Sequence, residues 1–286
     1  MSEPCSNPRQ KIKGLESSIA RLLDSNKIPS FIWGESALAM YGARSTVHFS
    51  GWVIPGRFIG KATWALINAG YVCCQSDHRD RRDPRAPRPP RCSKMSEQYH
   101  PYPDRHFHCR TDAATGEAKE LAYSVALYKM KRLFWNTPEP PLSALRSAHS
   151  GRMQVSYFQL NRQTREDYPV RLLTPGQYLK GIIYLVLRDH HVQKFKRWQH
   201  WQQELGYLIG LFDQKSFQGH LNGLDARFLE YMKHRNNSEY GYRDSGARLL
   251  NQIFDEEKKE GRLPKPERGE TDTPHLDLLF QLQVVV

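Results

Sequence analysis

The chain has 286 residues and a formal net charge of +12, from 42 Lys and Arg against 30 Asp and Glu. Hydrophobic residues make up 39% and the mean hydropathy is −0.69, enough for one sizeable core with a helical extension. No run of about 18 apolar residues is present, which excludes a helical membrane span. The five cysteines, Cys5, Cys73, Cys74, Cys92 and Cys109, are odd in number and scattered. They fit a reducing intracellular compartment, cytoplasmic or nuclear, better than a disulfide framework. The opening residues, MSEPCSNPRQKIKG, lack the apolar core of a secretory leader. So basic a chain favours polyanions as partners, either a nucleotide or a nucleic acid.

Residues 8 to 25 read as an amphipathic helix, with Ile12, Leu15, Ile19, Leu22 and Leu23 at helical spacing. Phe31 to Trp33 is a short apolar strand that Gly34 breaks. Ser36 to Tyr41 reads as a short helix stopped by Gly42, and Val47 to Ile54 as a second strand ended by Pro55-Gly56. Lys61 to Ala69 is a further helix with Ala62, Ala65, Leu66 and Ala69 facing inward, followed by a strand at Tyr71 to Cys74. Residues 76 to 103 interrupt the pattern with many prolines and six arginines between Arg79 and Arg91. They read as an insertion between core strands, either a solvated loop or an arm whose guanidinium forks suit phosphate.

The sheet resumes at Asp104 to Arg110, where His106 and His108 alternate onto one face. Cys109 points to the other face, so this trio makes a poor zinc site, and no metal ligands are assigned. Glu120 to Tyr128 reads as another strand, followed by a basic turn, Lys129 to Arg132. Residues 142 to 168 read as irregular and Val170 to Leu173 as a last strand. Thr174-Pro175 starts a helix that continues as a buried segment to Asp189. Helices follow at Lys194 to Phe212, Leu224 to His234 and Gly246 to Glu260, then a proline- and charge-rich linker at 264 to 275 and a tail, Leu276 to Val286, ending in Val-Val-Val. The division expected is a core at 8–175, a helical region at 176–262 and a tail at 263–286. The fold class expected is α/β (α+β), a mixed sheet with flanking helices and a C-terminal helical extension.

Several stretches carry a resemblance. Trp33-Gly34-Glu35-Ser36-Ala37-Leu38, then Tyr41-Gly42, then Arg44-Ser45-Thr46, precede the strand FSGWVIPG at 49–56. His106-Phe107-His108 and the run ALYKMKRLFW at 126–135 follow in order. Together these resemble a group of fungal proteins related to the nucleotidyltransferase superfamily, whose pattern runs WGEDAL, YG, FDxxWVIPD, HFH and LYKKSDLLW. The likeness covers most of residues 15 to 200 and implies a nucleotidyltransferase-like mixed sheet. In that superfamily a glycine turn precedes a strand bearing two carboxylates two residues apart. Such a pair shares one face and holds two divalent ions about the transferred phosphoryl group.

This chain departs from the pattern where the metal chemistry would sit. Ser50 and Gly56 stand where the group has aspartates, and His48 sits near the first acid of classical members. No acid occurs between Glu35 and Asp77. The resemblance therefore implies a protein without the standard two-metal site, a pseudoenzyme that binds a nucleotide or a partner. Its ligand-binding candidates are Gly34, Glu35, Ser36, Arg44, Ser45, His48, Ser50, His106 and His108, with no catalytic residue assigned. Two alternatives stay open. One is an active enzyme using Mg²⁺ and a nucleoside triphosphate through displaced carboxylates (Glu35, Asp77 or Asp104). The other is a basic nucleic-acid-binding or scaffold protein, such as an accessory of a fungal metabolic pathway.

Overall fold

The computed structural model describes residues 15–43, 47, 49–74, 101, 103–108, 124–140, 153–156, 168–190, 196–212, 221, 224–236 and 240–265. The chain divides into two units, Met1–Tyr178 and Leu179–Val286. Arg44, Ser45, Thr46, His48 and Asp77 lie outside the described residues, as do most of the arginine-rich insertion and the tail.

The first unit is a mixed α/β layer structure. In chain order it holds α1 (Leu15–Ser25), β1 (Phe31–Trp33), α2 (Glu35–Met40), β2 (Phe49–Ile54), α3 (Ile59–Asn68) and β3 (Val72–Cys74). Then come β4 (Arg105–His108), β5 (Ser124–Lys129), α4 (Met130–Leu133), β6 (Met153–Ser156), β7 (Val170–Leu173) and the start of α5 (Pro175–Arg188). The strands form one sheet in the order β3-β4-β5-β2-β1-β7-β6. β2 pairs with β5 and β1 with β7 in parallel, and the other neighbours are antiparallel. β1 and β2 are buried at every position, the signature of strands covered on both faces.

The helices follow their apolar stripes. In α1, Ile19, Ala20 and Leu23 are buried, and Arg171 of β7 is hydrogen-bonded to Asp24 at the helix end. In α3, Ile59, Ala62, Ala65 and Leu66 face the core. Ala69, expected to face inward, is exposed, because the helix ends at Asn68 and Ala69 lies in the turn beyond it.

One expectation fails outright. Residues 142 to 168 were expected to be irregular, yet Met153–Ser156 is β6, paired with β7 from Met153↔Leu173 to Ser156↔Val170. The segment MQVS is short and sits among polar residues, so its order comes from a partner strand rather than from its own propensity.

The second unit holds the rest of α5, then α6 (Lys196–Phe212), α7 (Ala226–Asn236) and α8 (Tyr240–Lys259). Ile182, Ile183, Leu185, Val186 and Leu187 are buried, as the sequence anticipated for a central helix. At its end the Arg188 guanidinium donates to Asp189 from Nε at 2.9 Å and from Nη2 at 2.8 Å. Trp201 Nε1 donates to the same carboxylate at 2.8 Å. Asp225 caps α7 by accepting the Arg227 N–H at 2.9 Å. α7 and α8 pack together, and Glu257 of α8 is buried and bonded to Arg227, Arg262 and Tyr184. These buried charges are paired with one another, as a structural network requires.

Candidate functional site

The glycine turn between β1 and α2 is present. Gly34 has φ 72° and ψ −149°, a backbone region open essentially to glycine. Its N–H points inward and donates to Tyr178 Oη at 2.9 Å, a buried bond. Tyr41 Oη in turn donates to the Leu173 carbonyl at 2.7 Å, and the Tyr41 and Tyr178 rings meet edge to face. The turn amide that a bound anion would need is thus satisfied within the protein. Glu35, the next residue, is half-buried at the start of α2.

The register of the sheet decides which candidates meet. Trp33, Gly51, Ala126, His106 and Cys74 are successive partners across β1, β2, β5, β4 and β3, so they share one row on one face. Ser50 is offset from that row by one residue and faces the other way. His106 is buried, two strands from Ser50 and on the opposite face. The His108 backbone pairs with Val72 and Ser124. Of the nine candidates, Arg44, Ser45 and His48 lie outside the described residues; among the others, Ser36 and Ser50 gather on one side of the sheet, His106 belongs to the other, and Gly34 is spent on Tyr178.

On the Ser50 side stands a residue that the sequence reading did not single out. Glu16 of α1 is 3% exposed. Its Oε1 accepts from Ser36 Oγ at 3.1 Å. Ser50 Oγ accepts from Trp52 Nε1 at 2.9 Å. Ser50 also lies close enough to the carboxyl to favour its charged form, yet Glu16 Oε2 is buried with no hydrogen-bond partner. Burial pushes the Glu16 carboxyl up to about 7, against the opposing pull of its own backbone N–H and the Ser36 and Ser50 hydroxyls. A sequence signal for it exists: Ile12, Glu16, Ile19 and Leu23 recur every four or three residues, so Glu16 falls on the apolar stripe.

On the other side, Gly51 lies directly beneath Trp33. A β-carbon there would stand 2.9 Å from Trp33 Cδ1 and 2.9 Å from the Trp33 carbonyl oxygen. Trp33 itself is locked edge to face against Tyr128 and Phe134, at ring separations of 5.4 and 6.0 Å. Phe31 and Tyr178 complete the aromatic layer around Phe134.

Neither face of β2 fits a pair of metal ions. One face offers Ser50 and Trp52 bonded to each other, and the other offers Phe49 and a glycine closed over by an indole. Among the described residues, no group of three or more His, Cys, Asp or Glu is placed to hold a metal. No helix there is long and apolar enough to cross a membrane.

Asp104, a candidate displaced carboxylate, is engaged elsewhere. It is 3% exposed and accepts from the Lys129 N–H at 2.8 Å and from Arg132 Nη1 at 2.6 Å, with Lys129 Nζ at 3.3 Å. Burial alone would raise its carboxyl. The Arg132 charge and the Lys129 amide outweigh that and hold it below the usual carboxylate range. Its stabilising contribution is therefore present at neutral pH and is lost as the pH falls through its depressed value. Asp104→Asn, which removes the carboxylate charge that Arg132 Nη1 meets at 2.6 Å, is expected to cost about 3 kcal/mol, read as a lower denaturant midpoint at pH 7. Equal stability of the two proteins there would mean that the pair is solvated.

No family model matches the chain, and no curated relative does. Among solved structures, it is similar to a crystal structure of an antigenic nucleotidyltransferase-like protein from Paracoccidioides brasiliensis. The identity is 16% and the TM-score 0.40, over 78% of this chain and 89% of that chain.

Proposed function

We propose that this chain is a nucleotidyltransferase-like protein without the standard two-metal site, and that it acts by binding a partner rather than by phosphoryl transfer. The observation that carries the reading is the state of β2. The strand contributes no carboxylate to either face, Trp33 occupies the space above Gly51, and Ser50 is buried between Trp52 and Glu16. The resemblance of the WGESAL turn, the FSGWVIPG strand and the LYKMKRLFW run to the fungal group supports the ancestry. The internal bond from Gly34 to Tyr178 favours a partner over a nucleotide at the turn.

The test is thermal melting of the full-length protein with each ribonucleoside triphosphate, with and without Mg²⁺ or Mn²⁺. A ligand specific for the folded form, at 100 times its dissociation constant, adds about 2.7 kcal/mol of stability. The expected result is no shift that depends on metal. A rise in melting temperature that needs both nucleotide and metal would overturn the reading in favour of an active enzyme with displaced carboxylates. A rise with nucleotide alone would keep the loss of catalysis and make a nucleotide the bound partner.

A further inference from the structure

We propose that the outer face of α3 binds single-stranded nucleic acid, with Trp64 as a stacking platform and Arg57 and Lys61 as phosphate contacts.

Trp64 is 66% exposed, and Ile67 one turn on is 38% exposed. The inner face of α3 is already committed, since Ile59, Ala62, Ala65 and Leu66 are buried. The helix therefore has no second apolar face to lay into a lipid surface, which an interfacial helix needs. Arg57, Lys61, Trp64 and Asn68 recur at intervals of four, three and four residues. That spacing aligns them in one stripe running from the 3-10 turn Gly56–Phe58 along the helix.

The surroundings are cationic. No acid occurs between Glu35 and Asp77, so the helix and its flanks contribute only positive charge. The Lys129 side chain passes beside the turn that begins the stripe, its Cδ 3.9 Å from where a β-carbon of Gly56 would stand. Lys131 is exposed one helical position beyond Met130. Asp104 is committed to Arg132 and Lys129, and Glu139 pairs with Arg57. The Arg57–Glu139 pair is open to solvent on both sides, at 64% and 42% exposure. Such pairs add little stability and yield readily to a phosphate. An exposed indole set among cations matches a single strand, whose bases stack on aromatic rings while its backbone follows the charge. A second copy of the chain would bring like charges together.

The test measures fluorescence anisotropy of a labelled thymidine oligomer of about 20 nucleotides with the full-length protein across a salt series. Trp64→Ala is expected to weaken binding about tenfold or more while leaving the melting temperature unchanged, because the side chain is exposed. Trp64→Tyr is expected to restore most of the loss. Lys61→Gln is expected to reduce the slope of log affinity against log salt by about 0.7. Binding by Trp64→Ala within about twofold of the unmodified protein, against the 1–3 kcal/mol that stacking supplies, would overturn the proposal. Equal affinity for duplex and single strand would do the same. So would loss of binding only when the arginines from Arg79 to Arg91 are neutralised with α3 intact.

Discussion

Gly51→Asp, which places a carboxylate on the face of β2 opposite Ser50, is expected to prevent folding rather than to create a site. The new β-carbon meets Trp33 Cδ1 and the Trp33 carbonyl at 2.9 Å. Backbone cannot move aside there, because Trp33 and Gly51 are direct partners in the β1–β2 ladder. Overpacking of this kind costs about 1–3 kcal/mol, and an unpaired buried carboxylate adds several more. Gly51→Ala separates the two contributions. It is expected to fold with a lower denaturant midpoint, by about 2 kcal/mol, whereas Gly51→Asp is expected in the insoluble fraction. A soluble Gly51→Asp protein with an unchanged melting temperature would show that Trp33 can swing off the strand, and the case against a metal site on that face would fall with it.

Glu16 gives the second large effect, and its sign runs opposite to that of Asp104. Its carboxyl rises from an ordinary value of 4.5 to about 7 in the folded protein. The stability it supports is complete below pH 4.5 and is lost as the pH rises through 7. A shift of that size corresponds to about 3 kcal/mol. Glu16→Gln keeps the shape and cannot ionise. It is expected to match the unmodified protein within about 1 kcal/mol near pH 4.5 and to exceed it by about 3 kcal/mol at pH 8. Comparing the two proteins at each pH cancels the repulsion among the other charges. Parallel stability curves from pH 4.5 to 8 would show that the carboxyl reaches water.

Much of this arrangement was readable one element at a time. The glycine turn, the short helix and the acid-free strand lie in a contiguous stretch, where local propensity and turn chemistry suffice. The alternation of His106 and His108 was equally local. Whether Ser50 shares their face was not, because it depends on the register of β4, β5 and β2, and those strands are separated by long connections. The same holds for Gly51. The sequence shows that no acid is there, but only the Trp33↔Gly51 pairing shows that none would fit. Glu16 stood on a legible apolar stripe. Its hydroxyl neighbours, Ser36 and Ser50, arrive from two other elements, and nothing in the spacing of α1 names them. β6 was missed because an edge strand of four residues draws its order from β7 rather than from itself.

The position of β1 carries a consequence for biosynthesis. Ile32 has its parallel partner in Leu172, 140 residues later in the chain. Until β7 leaves the ribosome, one edge of Phe31-Ile32-Trp33 has nothing to pair with, although β2 is available early. Long-range parallel pairing is slow to form, and an apolar strand with an open edge invites the same edge on a neighbouring chain. A nascent chain of this protein thus carries an aggregation-prone strand while the 140 residues from Ile32 to Leu172 are made, about half of its synthesis. Its yield should depend on chaperone supply, and fragments ending before Val170 should aggregate even though they contain the entire glycine turn and β2.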